Sequence, residues 1–156
     1  VSFAHHSMIE TRKMVDKMND PKYAFCEKPK RIYNQLKQDL STWSGHVQSW
    51  VDESGLPVKV LRYEDMKTRT FEEFRSALEF CGLTFPEEKI RKAIQHSDFK
   101  TLKELEQKEG FQEKPIKMPS FFRKGQTESW KEELSPEEVR KIQKDHGLIM
   151  KRFGYL

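Results

Sequence analysis

Apolar residues at helical spacing, cut by proline and glycine, constrain this chain more than any other feature. Leu36, Leu40, Trp43, Val47 and Trp50 recur at steps of three or four, with Val51 beside them. That step lines one face of an amphipathic helix, predicted over residues 33–53 and closed by Gly55 and Pro57. Phe71, Phe74, Leu78 and Cys81 form a second stripe, with Gly82 as its stop. Pro86-Glu87-Glu88 opens a third helix running to about Gln95, because proline suits a first turn and carboxylates face the positive helix end. A further helix is expected over residues 98–109, ended by Gly110. Ser135-Pro136-Glu137-Glu138 reads as a capping box that opens a helix to about His146, where Gly147 turns the chain. Residues 3–19 predict one more helix, stopped at Asn19-Asp20-Pro21 because the residue before proline avoids helical angles. Residues 21–31 read as a loop.

One segment breaks this pattern. Val58-Lys59-Val60-Leu61-Arg62-Tyr63 is short, rich in β-branched residues and bounded by turn residues, so it reads as a strand. One strand does not make a sheet, and its partners are expected from elsewhere.

Composition narrows the function classes. A chain of 156 residues supports one domain. Charged residues make up 35%, yet 11 Phe, 3 Trp and 4 Tyr supply large core side chains, so the chain is read as folded. A net charge of +4 with no basic helix face argues against a nucleic-acid binder. No apolar run approaches the length of a membrane span, so no membrane partner is expected. Cys26 and Cys81 lie far apart without CxxC spacing, which makes a reducing cytoplasm the default. His5, His6, His46, His96 and His146 show no ligand spacing with Cys or acids, so no metal is expected. The motifs GxxxxGK[ST], GxGxxG and GxSxG are absent. The chain starts at Val1 in what reads as the interior of an element, as expected of a portion of a longer domain.

Three segments carry candidate chemistry. Lys114, Lys117, Arg123 and Lys124 fall together without an intervening acid, and Gly125 follows. Glycine lets backbone approach a ligand closely, arginine offers a planar fork that matches phosphate, and lysine adds a mobile charge. The set suits an anion with several oxygens; the plainer alternative is a solvated basic loop. Tyr63 ends the predicted strand, and open α/β sheets bind ligands beyond the carboxyl ends of their strands. Its ring and hydroxyl suit a base, or it packs on a helix. Ser97-Asp98-Phe99 lies between two predicted helices, with Ser97 as the expected cap of the second and Phe99 as either core or a stacking ring.

These segments also follow one another in a recognisable order. Val1-Ser2-Phe3-Ala4-His5-His6 opens the chain, then come Arg62-Tyr63-Glu64-Asp65-Met66 and Glu79-Phe80-Cys81-Gly82-Leu83. Ser97-Asp98-Phe99 follows, and then Arg123-Lys124-Gly125-Gln126-Thr127-Glu128-Ser129-Trp130-Lys131. Together they resemble the cytosolic sulfotransferase family, whose members write these segments VSYYHF, RYEDL or FYEDM, EFLGL, Thr/Ser-x-Phe and RKGxxGDWK. The resemblance covers nearly the whole chain but corresponds to the C-terminal half or so of a complete member.

The resemblance implies a P-loop-NTPase-like α/β fold with a parallel sheet. Residues 1–156 would be a mostly helical C-terminal portion of one such domain, with one clear strand. It implies transfer of a sulfuryl group from 3′-phosphoadenosine 5′-phosphosulfate to the hydroxyl or amine of a small-molecule acceptor, leaving adenosine 3′,5′-bisphosphate. Ser2 matches the family serine that contacts the 3′-phosphate. Tyr63, Ser97 and Phe99 match positions around the adenine, and Arg123, Lys124 and Gly125 match the loop that binds the 3′-phosphate. An acceptor-side lid over residues 103–122, with Phe111, Phe121 and Phe122, is a further expectation, as is Trp130 as a packing anchor for the loop's return.

Departures set limits. The family's N-terminal glycine-lysine loop for the phosphosulfate and its catalytic histidine have no counterpart here, so no catalytic residue is assigned and the chain alone is expected to be inactive. Glu128-Ser129 replaces Gly-Asp before the tryptophan. Ser135-Pro136 and Arg140 replace the Thr-Val and the final acid of the family's KxxxTVxxxE dimer motif, so that dimer is not expected. The alternative is a helical interaction module derived from this fold without nucleotide binding.

Overall fold

The computed structural model describes residues 1–28, 30, 36–114 and 118–156. In chain order the elements are α1 (Ser2–His6), α2 (Thr11–Met18), β1 (Ala24–Phe25), β2 (Gln38–Asp39), α3 (Trp43–Gln48), α4 (Tyr63–Thr68), α5 (Thr70–Phe80), α6 (Glu87–His96), α7 (Phe99–Glu109), α8 (Trp130–Glu133) and α9 (Pro136–Arg152). They form two units, Val1–Val58 with Trp130–Leu156, and Lys59–Ser129. No helix among the described residues is long and apolar enough to cross a membrane.

In the first unit, α9 packs on α2 and α3. Among the described residues, Ala4, Met14, Val15, Ala24 and Ile149 are its buried apolar ones. The capping box forms as the sequence predicts: Ser135 Oγ accepts from the Glu138 N–H at 3.2 Å, and Glu138 Oε2 accepts from the Ser135 N–H at 2.7 Å. The helix does not stop at His146. It runs through Gly147 to Arg152, because Val139, Ile142, His146 and Ile149 continue one helical stripe and the last two are buried. That packing outweighs the roughly 1 kcal/mol that glycine costs a helix. The Arg152 guanidinium then forks onto both oxygens of Asp52, each at 2.8 Å.

Three other expectations for this unit are corrected. The helix expected over 3–19 is two, α1 and α2, broken where Met8 takes a left-handed φ of 52°. The expected loop 21–31 contains β1, which pairs antiparallel with β2, Ala24 opposite Asp39 and Phe25 opposite Gln38. The long helix over 33–53 shrinks to α3 and one following π-turn, Ser49–Glu53. Residues 33–35 lie outside the described residues. Leu40 and Ser41 instead donate their N–H groups to the Tyr23 carbonyl, and the Thr42 side chain caps α3 by accepting from the Gly45 N–H at 3.0 Å. Leu36 matches the helical stripe by coincidence; it is 87% exposed.

In the second unit, α5, α6 and α7 fall where periodicity places them. The strand expected at Val58–Tyr63 is not formed. Arg62 is extended, with φ −89° and ψ 138°, but Tyr63 already opens α4. A strand needs a neighbour for its N–H and C=O groups, and none of the described residues supplies one here. Val60 therefore stays 45% exposed. The parallel sheet implied by the resemblance is likewise not found among the described residues, whose sheet is the β1–β2 pair. Ser97 does not cap α7: it ends α6, and the Asp98 carboxylate caps α7 by accepting from the Lys100 N–H at 2.9 Å.

Candidate functional site

Within the second unit, α4, α5 and the α6–α7 junction surround a cavity of about 370 Å³. That lies in the range of small-molecule sites, roughly 300–1,000 Å³. Tyr63 enters it from the first turn of α4, Phe74 and Ala77 from α5, and Ile94 from α6. Ser97 and Phe99 face it from the junction, where the Asp98 cap fixes the backbone between them. Tyr63 and the sequence-distant pair Ser97 and Phe99 are thus brought to one apolar cavity with a few polar groups.

The loop 120–129 joins this cavity through one contact. Gly125 has a φ of +60°, and a Cβ built on it would lie 2.5 Å from Cδ2 and 2.6 Å from Cε2 of the Phe99 ring. The backbone at Gly125 therefore runs against the ring that borders the cavity. Arg123 is half-buried and Lys124 exposed. Lys103, one turn along α7 from Phe99, donates from Nζ to the Arg123 carbonyl at 3.3 Å. Pro115 and Lys117 of the basic segment lie outside the described residues.

The residue that sequence reasoning missed is Glu106. It is 8% exposed, and its carboxylate accepts from three consecutive residues of the loop. Oε1 takes the Phe121 N–H at 2.6 Å; Oε2 takes the Phe122 N–H at 3.1 Å and the Ser120 hydroxyl at 2.9 Å. Burial pushes this carboxyl up, but those hydrogen bonds and the charge of Lys114 together hold it below the ordinary carboxylate value. The sequence does put Phe99, Lys103 and Glu106 at i, i+4 and i+7 on one helix face, but nothing in it joins that face to residues 120–122.

The expected lid divides in two. Residues 103–109 belong to α7, while Phe111, Phe121 and Phe122 gather their rings, with centroids 4.7 to 5.3 Å apart. Phe122 also meets Phe99 edge-on at 6.1 Å. Trp130 opens α8 in the first unit and is 43% exposed, little buried for an anchor. Ser2 is the first residue of α1, also in the first unit, exposed, with Oγ 3.5 Å from His6 Nδ1. Among the described residues, no three His, Cys, Asp or Glu side chains gather as metal ligands do.

Comparison with known proteins places the chain in a family. A sulfotransferase domain model matches residues 2–154, and the chain belongs to that family. It is similar to "Sulfotransferase 1A1" of Canis lupus familiaris, 31% identical over 118 residues, which is 72% of this chain and 40% of that protein. The same-named protein of Mus musculus is 38% identical over 69 residues, 44% of this chain and 24% of that protein. "Cytosolic sulfotransferase 12" of Arabidopsis thaliana is 35% identical over 98 residues, 60% of this chain and 30% of that protein. The chain thus spans 40% or less of the length of these relatives.

Proposed function

We propose that this chain supplies the 3′-phosphate and adenine side of a sulfotransferase site. The donor is 3′-phosphoadenosine 5′-phosphosulfate, and the acceptor is the hydroxyl or amine of a small molecule. One observation carries this reading: Phe99 borders both the cavity that Tyr63 and Ser97 line and the backbone of the Arg123-Lys124-Gly125 loop. A purine beside a phosphate needs that neighbourhood, an aromatic-edged cavity next to cations and a close-approaching backbone.

The residues present fit the nucleotide. Arg123 offers a fork to two phosphate oxygens, Lys124 a point charge, and Gly125 an N–H. Tyr63 and Phe99 offer ring faces to the base, and Ser97 a hydroxyl. When bound, the donor brings the activated sulfuryl group. By fixing the nucleotide's far end, these residues hold the reacting end in place, which is where positioning lowers a barrier. The family's loop for the phosphosulfate and its base toward the acceptor have no counterpart among these 156 residues. The extended, unladdered segment before Tyr63 suits a sheet neighbour. The free thiols Cys26 and Cys81, and a relative named cytosolic, support a cytoplasmic setting.

Titration with adenosine 3′,5′-bisphosphate tests the reading. Hydrogen bonds to charged groups are worth roughly 1.5–3 kcal/mol, so Arg123→Ala should weaken saturable binding by about ten- to a hundredfold. Absence of binding by the wild-type chain contradicts it.

A further inference from the structure

We infer that Glu106 is the positioning residue that sets the Arg123-Lys124-Gly125 loop for its anion. This rests on the nucleotide reading above and adds a residue to it. Glu106 is buried yet faces no cation within ion-pair distance among the described residues; its bonded donors are the loop's own N–H and O–H groups. A buried carboxylate holds its charge when hydrogen bonds satisfy its oxygens. Here they do so by orienting two successive peptide units, those of Phe121 and Phe122, directly before Arg123.

The anchoring continues past that point. Lys103, on the same face of α7, holds the Arg123 carbonyl, and the Phe99 ring braces Gly125. Residues 120–123 and 125 are each tied to α7, so one helix face dictates the backbone path from Ser120 to Gly125. Glu106 itself is 8% exposed, and hydrogen bonds strengthen where water is scarce. A loop ordered before its ligand arrives loses less entropy on binding, so rigid support appears as affinity.

A merely structural carboxylate would affect stability and leave ligand discrimination alone; a positioning one acts on the 3′-phosphate. The test compares adenosine 3′,5′-bisphosphate with adenosine 5′-monophosphate on the wild-type chain, Glu106→Gln, Glu106→Asp and the exposed neighbour Glu104→Gln. Amide hydrogen exchange at Phe121 and Phe122 is followed without ligand. Glu106→Gln is expected to weaken the bisphosphate by about tenfold, with the monophosphate changed by less than about twofold and exchange at 121–122 accelerated. Glu106→Asp should fall between, and Glu104→Gln should match wild type. If Glu106→Gln does not fold, Ser120→Ala removes one anchor and should cost the bisphosphate about fivefold. Wild-type affinity in Glu106→Gln, or in Ser120→Ala where that stands in, overturns the inference and leaves the nucleotide reading intact. Equal losses for both nucleotides also overturn it. A wild-type chain that binds neither nucleotide overturns both.

Discussion

The ring of Phe99 fills the position that a side chain at residue 125 would need. Gly125 is required there twice over, since its φ of +60° is also strained for an L-residue. Gly125→Ala should lower unfolding free energy by roughly 1–3 kcal/mol, read from denaturant titration. Phe99→Ala combined with Gly125→Ala removes the clash and should cost less than the sum of the two single changes. Strict additivity would mean that the two residues do not meet.

His146 predicts a pH dependence. It is 2% exposed, Ser44 Oγ lies 2.8 Å from its Nδ1, the Trp43 ring lies edge-on at 5.5 Å, and its Nε2 has no partner among the described residues. Burial lowers its pKa, against a smaller opposing pull from Asp145. The folded chain therefore keeps it neutral while the unfolded chain takes a proton below about pH 6.5. Stability from this group is complete above that value and is lost as pH falls from it toward the lower folded pKa. Asp16, Asp52, Glu106 and Glu138 are also lowered, so their losses come at more acid pH. Urea unfolding at about pH 7.5 and about 5.5 should show wild type less stable at the lower value and His146→Leu less pH-sensitive. Equal pH sensitivity in both contradicts this.

The contrast between Glu106 and Gly82 shows what the sequence made legible. The stop at Gly82 and the start at the Ser135 box are local, set by a few adjacent residues, and both fall as predicted, whereas the stop expected at Gly147 gives way to packing of His146 and Ile149. The loop of Arg123 to Gly125 and the rings of Tyr63 and Phe99 carried chemistry in their own residue types. Glu106 did not, because one glutamate in a chain of 35% charged residues is ordinary until its partners at 120–122 are known. Val58–Tyr63 failed for the opposite reason: its β-branched pattern is local, but a strand exists by its neighbour. Leu36 and Leu40 failed because Thr42 caps the helix after them.

The Ser135 cap gives a magnitude to check. Losing a serine N-cap costs about 1 kcal/mol, with a range of roughly 0.5–2. Ser135→Ala should show that loss in thermal or urea unfolding, and Ser135→Asp should recover most of it. A neutral Ser135→Ala would mean that α9 does not depend on its box.

On the proposed reading, the base and the phosphosulfate loop of sulfuryl transfer have no counterpart among these residues. The purified 156-residue chain, given 3′-phosphoadenosine 5′-phosphosulfate and a phenol, should release no adenosine 3′,5′-bisphosphate above the chain-free background. Turnover by the chain alone would show that its own residues complete the site.

The most direct test of the 3′-phosphate assignment is a cycle of two ligands and two proteins. Adenosine 3′,5′-bisphosphate and adenosine 5′-monophosphate are titrated by calorimetry into the wild-type chain and into Arg123→Ala. If the Arg123 loop reads the 3′-phosphate, the bisphosphate should bind wild type at least about tenfold more tightly than the monophosphate, and Arg123→Ala should erase most of that preference. An unchanged preference in Arg123→Ala, or no binding of either nucleotide to wild type, would contradict the account.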